Sequence, residues 1–474
     1  MMADASAAVL AAQGELLLFA AAFFLLGSLD ELLIDAVYLW LRLTGRLRQP
    51  AWCTDGASPT RGDMAADGLD GPVAVFIPAW QEALVIGATV RHAIAAWPQD
   101  EVTLYVGCYF NDPATVAAVR AAAADSKRVR LITHGVAGPT CKADCLNRLH
   151  AAMCADEVDR HERYRFVVLH DAEDMVDPAA LPLMNRALDL ADFVQLPVLA
   201  LPQPGSRWIS GHYSDEFAEA HGKTMVVRAA LGAALPGAGV GCAIKRDMVA
   251  KLATVGPEGA PFATGSLVED YELGLAVARL GGNARFLRVR TAAGRLVATR
   301  AYFPATLGAA VRQKTRWTHG IALQGWDRLG WRGNLIDRYM LLRDRRGLLS
   351  ALLLLTGYLC VAALGGTFAL ARFGSGETFM LAPWLQALLA ANLGLLIWRL
   401  AWRGMFTARE HGWRQGLLAL PRTCISNIIT IMASWRAVAA YCRSLSGEKP
   451  RWDKTEHHFH PAIRVESLPE KLAA

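Results

Sequence analysis

The sequence lacks the cysteine patterns that mark a disulfide-stabilised or zinc-binding protein. Its nine cysteines are scattered, and the closest pair, Cys141 and Cys145, has three residues between its members. No CxxC pair or histidine partner gives a zinc spacing. We therefore expect reduced thiols that face the cytoplasm or lipid.

Other classes of site are also missing. Basic residues form no stripe with interleaved aromatics, so the net charge of +6 does not indicate nucleic-acid binding. There is no GxSxG nucleophile elbow, and the glycine-rich segment 237–247 has no Walker spacing. His212, Glu216 and His221 do not have the spacing of HExxH. These absences argue against a serine nucleophile, a P-loop and a zinc protease.

Apolar runs, in contrast, are abundant. Hydrophobic residues make up 53% of the chain and the mean hydropathy is +0.24, more than a soluble enzyme needs. Residues 7–41 are mostly apolar, carry no basic n-region of a signal peptide, and are followed by three arginines. Residues 347–371 and 379–398 can each span a bilayer. Arginines flank this pair on both sides, which predicts a hairpin with both ends in the cytoplasm.

Two features of the apolar segments leave alternatives open. Asp30, Glu31 and Asp35 either mark the membrane surface or face other helices inside the bilayer. Residues 416–443 carry polar residues at spacing four, which favours an interfacial helix over a third C-terminal span. The predicted divisions are an N-terminal transmembrane helix at 1–45, a linker at 46–71, a hairpin at 346–403, an interfacial or transmembrane helix at 404–443 and a cytoplasmic tail at 444–474.

Between the linker and the hairpin, short apolar strands alternate with helices. The strands are predicted at 73–78, 102–110, 129–133 and 165–170, and the helices at 83–96, 114–124, 141–153 and 178–190. This alternation predicts an α/β domain with a mostly parallel sheet covered on both faces. Ligands bind such sheets off the carboxyl ends of the strands.

The segment FVVLHDAEDMVDP runs from a buried strand into Asp171, Glu173 and Asp174. Carboxylates this close repel one another unless a cation lies among them. Asp171 and Glu173 project to the same side of an extended chain, and their hard oxygen atoms suit Mg²⁺ or Mn²⁺. A solvated loop or an arginine salt bridge is the alternative.

Three further positions could contact a nucleotide. Glu82 follows a strand that ends in Pro78, where a base or ribose could lie. Asp112 follows the next strand and could accept a hydrogen bond from a base or a ribose hydroxyl, although Asp before Pro is also an ordinary turn. Lys142 offers a point charge for a phosphate, with a helical surface lysine as the alternative.

Two segments nearer the hairpin carry further candidate functional residues. In VEDYELG, Glu269 and Asp270 form a carboxylate pair of which one member could act as general base. In QKTRW, Gln313, Arg316 and Trp317 share a helix face. An arginine pairs with phosphate, and an indole stacks on a sugar ring.

The order of these segments resembles that of the inverting family 2 glycosyltransferases with the GT-A fold, in the membrane-integrated branch that includes cellulose and hyaluronan synthases. The resemblance covers roughly residues 72–330, and its motifs are IPAWQE, FND, CKADCLN, DAED, GAGVGCAIKRD, VEDYELG and QKTRW. DAED, KADCLN and the tail segment PRWDKTEHHF further resemble the inner-membrane glycosyltransferase subunit of a phage adsorption receptor. The resemblance implies a Rossmann-like GT-A domain at 72–345, which lies on the cytoplasmic side of a bacterial inner membrane.

The resemblance also implies a role for each motif residue. Metal ligation falls to Asp171 and Glu173, and the general base is Asp270 of the Glu269–Asp270 pair. The residues implied to contact the donor or acceptor are Glu82 and Asp112 at the uridine, Lys142 and Asp144 near the nucleotide, and Gln313, Arg316 and Trp317 at the acceptor and diphosphate. Three positions depart from the family pattern. Glu173 replaces an aspartate, so that Asp174 could share the metal, Val268 replaces a threonine, and Lys314 is the second residue of QKTRW.

The sequence therefore predicts a membrane-bound enzyme that transfers a sugar from a UDP-sugar, with Mg²⁺ or Mn²⁺, to a polysaccharide or glycolipid acceptor. Three spans are few for a self-contained pore, so secretion would need an oligomer or an outer-membrane partner. Two alternatives are a non-catalytic receptor or scaffold with a degenerate transferase domain, and a transporter. The transporter is disfavoured because the two apolar segments of the C-terminal hairpin contain no charged residue and, apart from hydroxyl side chains, offer only Gln386 and Asn392 as polar residues.

Overall fold

The computed structural model describes residues 2–47, 68–124, 126–291, 293–373, 381–447 and 459–463, with side chains except at 2–10, 258, 370 and 371. Most of the predicted linker and tail lie outside the described residues. The strands are β1 (Val73–Pro78), β2 (Val102–Tyr109), β3 (Val129–His134), β4 (Phe166–Leu169), β5 (Phe193–Gln195), β6 (Val198–Leu201), β7 (Cys242–Lys245), β8 (Ala284–Phe286) and β9 (Thr299–Tyr302).

Helices make up most of the rest. They are α1 (Met2–Leu43), α2 (Ile86–Ala96), α3 (Pro113–Ala123), α4 (Lys142–Arg160), α5 (Ala180–Ala187), α6 (Ile209–Glu219), α7 (Met225–Ala230), α8 (Arg246–Val255), α9 (Glu269–Arg279), α10 (Leu307–Thr318), α11 (Gly325–Leu329), α12 (Leu335–Arg345), α13 (Gly347–Arg372), α14 (Pro383–His411) and α15 (Trp413–Leu445). Short π-helical segments join α6 to α7 and α10 to α11. The four predicted strands and four predicted helices of the α/β domain all occur, with ends shifted by up to seven residues.

The central sheet has seven strands in the order β3-β2-β1-β4-β7-β5-β8. The first four run parallel, β7 is antiparallel to both of its neighbours, and β5 pairs in parallel with β8. The predicted mostly parallel sheet is therefore confirmed. A second sheet contains β6 and β9 in parallel. An antiparallel bridge from Met175 to Arg300 links this sheet to the turn after β4.

Both faces of the central sheet are buried, because alternate residues of its strands enter two separate cores. On one face Val75, Ile77 and Val168 pack with residues of α2, α3 and α5. On the other face Phe76 and Val167 pack with residues of α4, α8 and α9. Strands buried on both faces form continuous apolar runs, which explains why VAVFIP and FVVL contain no polar residue.

Within the described part of the chain, four helices are long and apolar enough to cross a membrane: Ala11–Leu43, Gly347–Ala369, Pro383–His411 and Trp413–Leu445. Three acids of α1, at positions 30, 31 and 35, are paired with cations at the edge of the α/β domain. Asp30 and Glu31 contact Arg343 and Arg346, and Asp35 lies 2.6 Å from Lys223. These acids therefore anchor α1 to α12, to the start of α13 and to the π segment after α6.

Helix α15 lies along the domain rather than apart from it. It packs on α14, α10, α6 and the π segment after α10. Gly404 and Gly416 let α14 and α15 approach closely, since a Cβ on Gly416 would lie 2.6 Å from the Gly404 oxygen atom. Thr315 of α10 also donates a hydrogen bond to the Ala433 carbonyl at 3.4 Å. The choice between an interfacial helix and a span stays a prediction, and these contacts favour the interfacial alternative.

Candidate active site

A cavity of about 150 Å³ opens where β1 and β4 end. It brings together all the residues to which the family resemblance gave a role, except Asp112 and Asp144. Those that line it are Glu82, Lys142, Asp171, Glu173, Glu269, Asp270, Gln313, Arg316 and Trp317. Residues from the first half of the domain thus meet the QKTRW helix α10 across one space.

The three acids after β4 do not have the same surroundings. All three line the cavity, but Asp171 and Glu173 are partly exposed, with 32% of the Asp171 side chain exposed. Asp174 is buried, and its Oδ2 accepts hydrogen bonds from His170 Nδ1 at 2.8 Å and from the Asp171 amide at 2.9 Å. Burial raises the pKa of Asp174, although the hydrogen bond from His170 opposes this shift. Asp174 therefore holds the turn that presents Asp171.

Asp171 and Glu173 could hold a divalent cation only if a bound ligand supplied further oxygen atoms. Among the described residues, no group of three or more His, Cys, Asp and Glu side chains is placed to hold a metal. Magnesium is commonly bound by one or two carboxylates and completed by substrate phosphates and water. Asp171 and Glu173 fit this mode, because both carboxylates face a cavity open to a diphosphate.

Lys142, at the start of α4, joins the acidic turn to the carboxylate pair of α9. Its Nζ lies 2.5 Å from Asp171 Oδ1 and 3.8 Å from Glu269 Oε1. Burial lowers the pKa of Lys142, but Asp171, Glu269 and Asp270 more than offset this effect, so the pKa is raised. Lys142 is thus a permanent cation in the cavity.

Glu269 and Asp270 begin α9 and point into the cavity. Burial and the neighbouring Asp270 raise the pKa of Glu269 to about 7. Burial likewise raises the pKa of Asp270, with Lys142 opposing. A carboxylate whose pKa lies near neutral pH is suited to accept a proton during a reaction.

The glycines of GAGVG shape this pair. A Cβ on Gly237 would lie 2.6 Å from the Asp270 carbonyl oxygen, and one on Gly239 would overlap Asp270 Oδ2. Gly239 also has a φ of +77°, which favours glycine. The sequence showed these glycines but did not predict that they enclose the carboxylate of Asp270.

Three QKTRW residues of helix α10, Gln313, Arg316 and Trp317, line the cavity, whereas Lys314 does not. Gln313 Oε1 and Arg316 Nε are buried atoms with no hydrogen-bond partner among the described residues. Buried polar atoms are almost always satisfied, so both are placed to meet a ligand. Lys314 instead pairs with Glu216 of α6 at 2.5 Å. Trp317 packs edge-on against Tyr213 at 6.1 Å between ring centroids.

Asp112 and Asp144 lie just outside the cavity lining. Asp112 caps α3 through the Thr115 amide and accepts a 2.6 Å hydrogen bond from the Gln81 amide. Asp144 accepts from Thr140 Oγ1 at 2.7 Å and from Arg148 Nε at 3.2 Å. Both side chains therefore support loops that reach the cavity.

Several aromatic residues line the cavity that the sequence analysis did not select: Trp80, Tyr109, Phe217, Tyr302 and Phe303. Trp80 and Tyr109 lie edge-on, with 5.2 Å between their ring centroids. Trp80 belongs to the motif IPAWQE, and Tyr109 directly precedes the motif FND. Gly138 makes this arrangement possible, because a Cβ there would lie 2.7 Å from the Tyr109 ring.

A short C-terminal segment, Phe459–Ile463, also reaches the acidic turn from outside. His460 is buried, and its Nε2 lies 3.2 Å from the Asp174 carbonyl oxygen. Burial lowers the pKa of His460 to about 4. The rest of the tail segment PRWDKTEHHF lies outside the described residues.

Comparison with known proteins places this site in a family. The model of glycosyltransferase-like family 2 matches residues 71–320, more than half of the chain. The chain belongs to this family. Its cavity therefore lies in a family 2 glycosyltransferase domain, and the predicted family and fold are confirmed.

Two curated relatives extend the comparison beyond the domain. The chain is 33% identical over 462 residues to Bacteriophage adsorption protein B of Escherichia coli K12, and equally to Bacteriophage N4 adsorption protein B of Escherichia coli O157:H7. These matches cover 93% of this chain and 61% of each relative. The chain thus spans less than two thirds of their length.

A solved structure supports the fold. A mannosyltransferase from Pyrobaculum calidifontis, in complex with GDP-Man and Mn²⁺, is similar with a TM-score of 0.51 and 17% sequence identity. The similarity covers 86% of this chain and 99% of that one. It shows a shared GT-A architecture that includes helices beyond the family 2 domain.

Proposed function

We propose that this family 2 domain is an inverting glycosyltransferase that moves a sugar from a nucleotide diphosphate donor, with UDP as the expected nucleotide. The observation that carries the proposal is the single cavity shared by Asp171, Asp270 and Trp317. A donor needs an acidic turn for its metal-bound diphosphate, and transfer needs a base on the other side of the sugar. One cavity supplies both.

Asp171 and Glu173 would hold Mg²⁺ or Mn²⁺ together with the donor diphosphate. A bound divalent ion would neutralise charge on the leaving diphosphate. The cations of this chain serve the same end. Lys142 lies beside Asp171, and the unpartnered Nε of Arg316 faces the same space. Fixed cations in a cavity stabilise developing negative charge without reorganisation.

Asp270 would accept the proton of the acceptor hydroxyl as that oxygen attacks the anomeric carbon. The bond from the anomeric carbon to the diphosphate oxygen breaks in the same displacement, and the nucleoside diphosphate leaves with the negative charge. The raised pKa values of Asp270 and Glu269 suit a base that works near neutral pH. One displacement inverts the anomeric centre, so no covalent nucleophile is required.

The acceptor would enter beside Gln313 and Trp317 and belong to a growing surface polysaccharide or glycolipid. Helix α10 supports this placement because it packs directly on α15, one of the four long apolar helices. We place the protein in the bacterial inner membrane with the domain in the cytoplasm, since arginines flank the α13–α14 hairpin. An outer-membrane secretion partner would complete export.

The competing function is a non-catalytic receptor or scaffold subunit, which the names of the related adsorption proteins suggest. Purified protein would be incubated with UDP-hexoses and UDP-N-acetylhexosamines, with and without Mn²⁺, and released UDP measured. An enzyme gives metal-dependent UDP release, and a scaffold gives none with any donor. Asp270→Asn protein serves as the matched blank.

A further inference from the structure

A second cavity, of about 480 Å³, lies among the apolar helices. Helices α1, α13, α14 and α15 and the cytoplasm-side helix α6 surround it. It shares no lining residue with the candidate active site, yet neighbouring residues of α6 separate the two. Glu216 lines this second cavity, and Phe217 lines the first.

One cation of this cavity, Arg399, lies near the carboxylates of Glu31 and Glu219 but forms no close ion pair with either among the described residues. Glu216 is paired with Lys314 at 2.5 Å, and Glu219 with Lys223 at 3.0 Å and Arg403 at 3.2 Å. Arg399 also lines the cavity, one helical turn before Arg403, and makes no hydrogen bond or ion pair with any residue in the described ranges. Glu31, its other acidic neighbour, is held by Arg343 and Arg346.

Most uncharged polar side chains of the lining already form hydrogen bonds within the protein. Asn392 donates to the carbonyls of Ala21 and Leu388, each at 3.0 Å. Asn427 donates to the Tyr358 hydroxyl at 3.1 Å, and Ser426 donates to Glu216 at 2.6 Å. These groups do not need the hydroxyls of a sugar chain as hydrogen-bond partners. Arg399 is therefore the polar group of the lining that a ligand could best satisfy.

The rest of the wall is apolar, and Arg399 lies at its cytoplasmic end. Phe24, Leu354, Val361 and Leu396 line the cavity. Beyond Arg403, α14 enters the domain, where Thr407 donates to Asp215 at 3.2 Å. An arginine at the edge of a membrane-level apolar cavity suits an anionic headgroup, and the apolar wall suits the chain attached to it.

We propose that this cavity binds a phosphate-bearing lipid, with the phosphate at Arg399 and the hydrocarbon chain between α1, α13 and α14. The inference goes beyond the proposed function, and the binding does not require the transferase reaction. A bound lipid could still affect the candidate active site, because Glu216 lines the lipid cavity and pairs with Lys314 of the QKTRW segment.

The test is direct binding to the full chain purified in detergent, measured by native mass spectrometry. Farnesyl phosphate is the probe, farnesol the uncharged control and inorganic phosphate the headgroup alone. Wild-type protein is expected to bind farnesyl phosphate at least about tenfold more tightly than farnesol, as a charge-assisted contact gives. Arg399→Ala should remove this difference, and Arg399→Lys should keep part of it.

Arg414→Ala is the matched control, because Arg414 is an exposed arginine of α15 that stacks on Trp413 and does not line the cavity. It should bind both probes like wild type.

Equal binding of farnesol and farnesyl phosphate, or unchanged selectivity in Arg399→Ala, would overturn the proposal. So would displacement of farnesyl phosphate by millimolar inorganic phosphate, which indicates a soluble-phosphate site, or by a soluble oligosaccharide, which indicates a glycan channel. A thermal melt of each variant checks that it is folded.

Discussion

The Nζ atom of Lys142 lies 2.5 Å from Oδ1 of Asp171, so one cation is paired with the acidic turn that follows β4. The same lysine extends toward Glu269. Asp171 on the expected donor side and Glu269 of the expected base pair therefore both interact with Lys142. The pH dependence of transfer should change when this lysine is removed.

Replacing Lys142 with methionine should move the acid limb of the rate against pH to higher pH. Burial raises the pKa of Glu269 to about 7 and raises that of Asp270, and Lys142 lowers both. Without the lysine both pKa values rise further, so a higher pH is needed to deprotonate the base. Arg148→Met is the control, because Arg148 pairs with Asp144 outside the cavity lining. An unshifted limb in Lys142→Met would contradict the coupling.

Asp270→Asn should abolish transfer while donor binding survives. The amide keeps the shape of the side chain but cannot accept the proton of the acceptor, and loss of a general base costs about 10²–10⁴-fold in rate. Turnover and donor affinity would be measured on the same preparation. Glu269→Gln serves as the comparison, and should lower the rate less. Transfer at the normal rate by Asp270→Asn would show that the base is elsewhere.

Gly239→Ala should inactivate the enzyme without unfolding it. The added Cβ would overlap Asp270 Oδ2, so the carboxylate must move away from its position. Gly205→Ala is a close control for backbone strain, because Gly205 has a φ of +79° and no atom within 4 Å of an added Cβ. Steady-state rates and melting temperatures would separate the two. Equal activity in both variants would mean that the glycine does not position Asp270.

Asp174 and Asp171 should differ in what their removal changes. Asp174→Ala leaves the His170 ring nitrogen and the Asp171 amide without their buried acceptor, at a cost of about 1–3 kcal/mol for an unsatisfied group. Its melting temperature should fall. Asp171→Ala should lower the melting temperature less, because its side chain is partly exposed and Lys142 keeps Glu269 as a neighbour, and it should lose Mn²⁺-dependent donor binding. If Asp174→Ala melts like wild type, the structural role given to Asp174 is wrong.

The strands and the acids of the cavity could be predicted from the sequence because both have local sequence signals. VAVFIP and FVVL are continuous apolar runs, as strands buried on both faces must be, and the carboxyl ends of parallel strands lie at one edge. That rule was enough to group Glu82 with Asp171. The family resemblance was needed to add Gln313 and Arg316, which are more than 130 residues further along the chain.

What the sequence did not supply depends on tertiary contacts. Asp171, Glu173 and Asp174 look equivalent in DAED, and only the fold turns Asp174 toward His170. Likewise, Lys314 lies within the QKTRW motif, but it pairs with Glu216 across helices. Antiparallel β7, inserted between β4 and β5, also has no local signature that distinguishes it from a parallel strand.

The central claim is that Asp171 and Glu173 bind the donor diphosphate through a divalent cation. The most direct measurement is calorimetric titration of the purified full chain with UDP, with GDP as a second nucleotide, in the presence of Mn²⁺ or EDTA. We predict Mn²⁺-dependent binding of one nucleotide to wild-type protein and its loss in Asp171→Asn/Glu173→Gln. Binding of equal strength in EDTA, or in that double variant, would contradict the account.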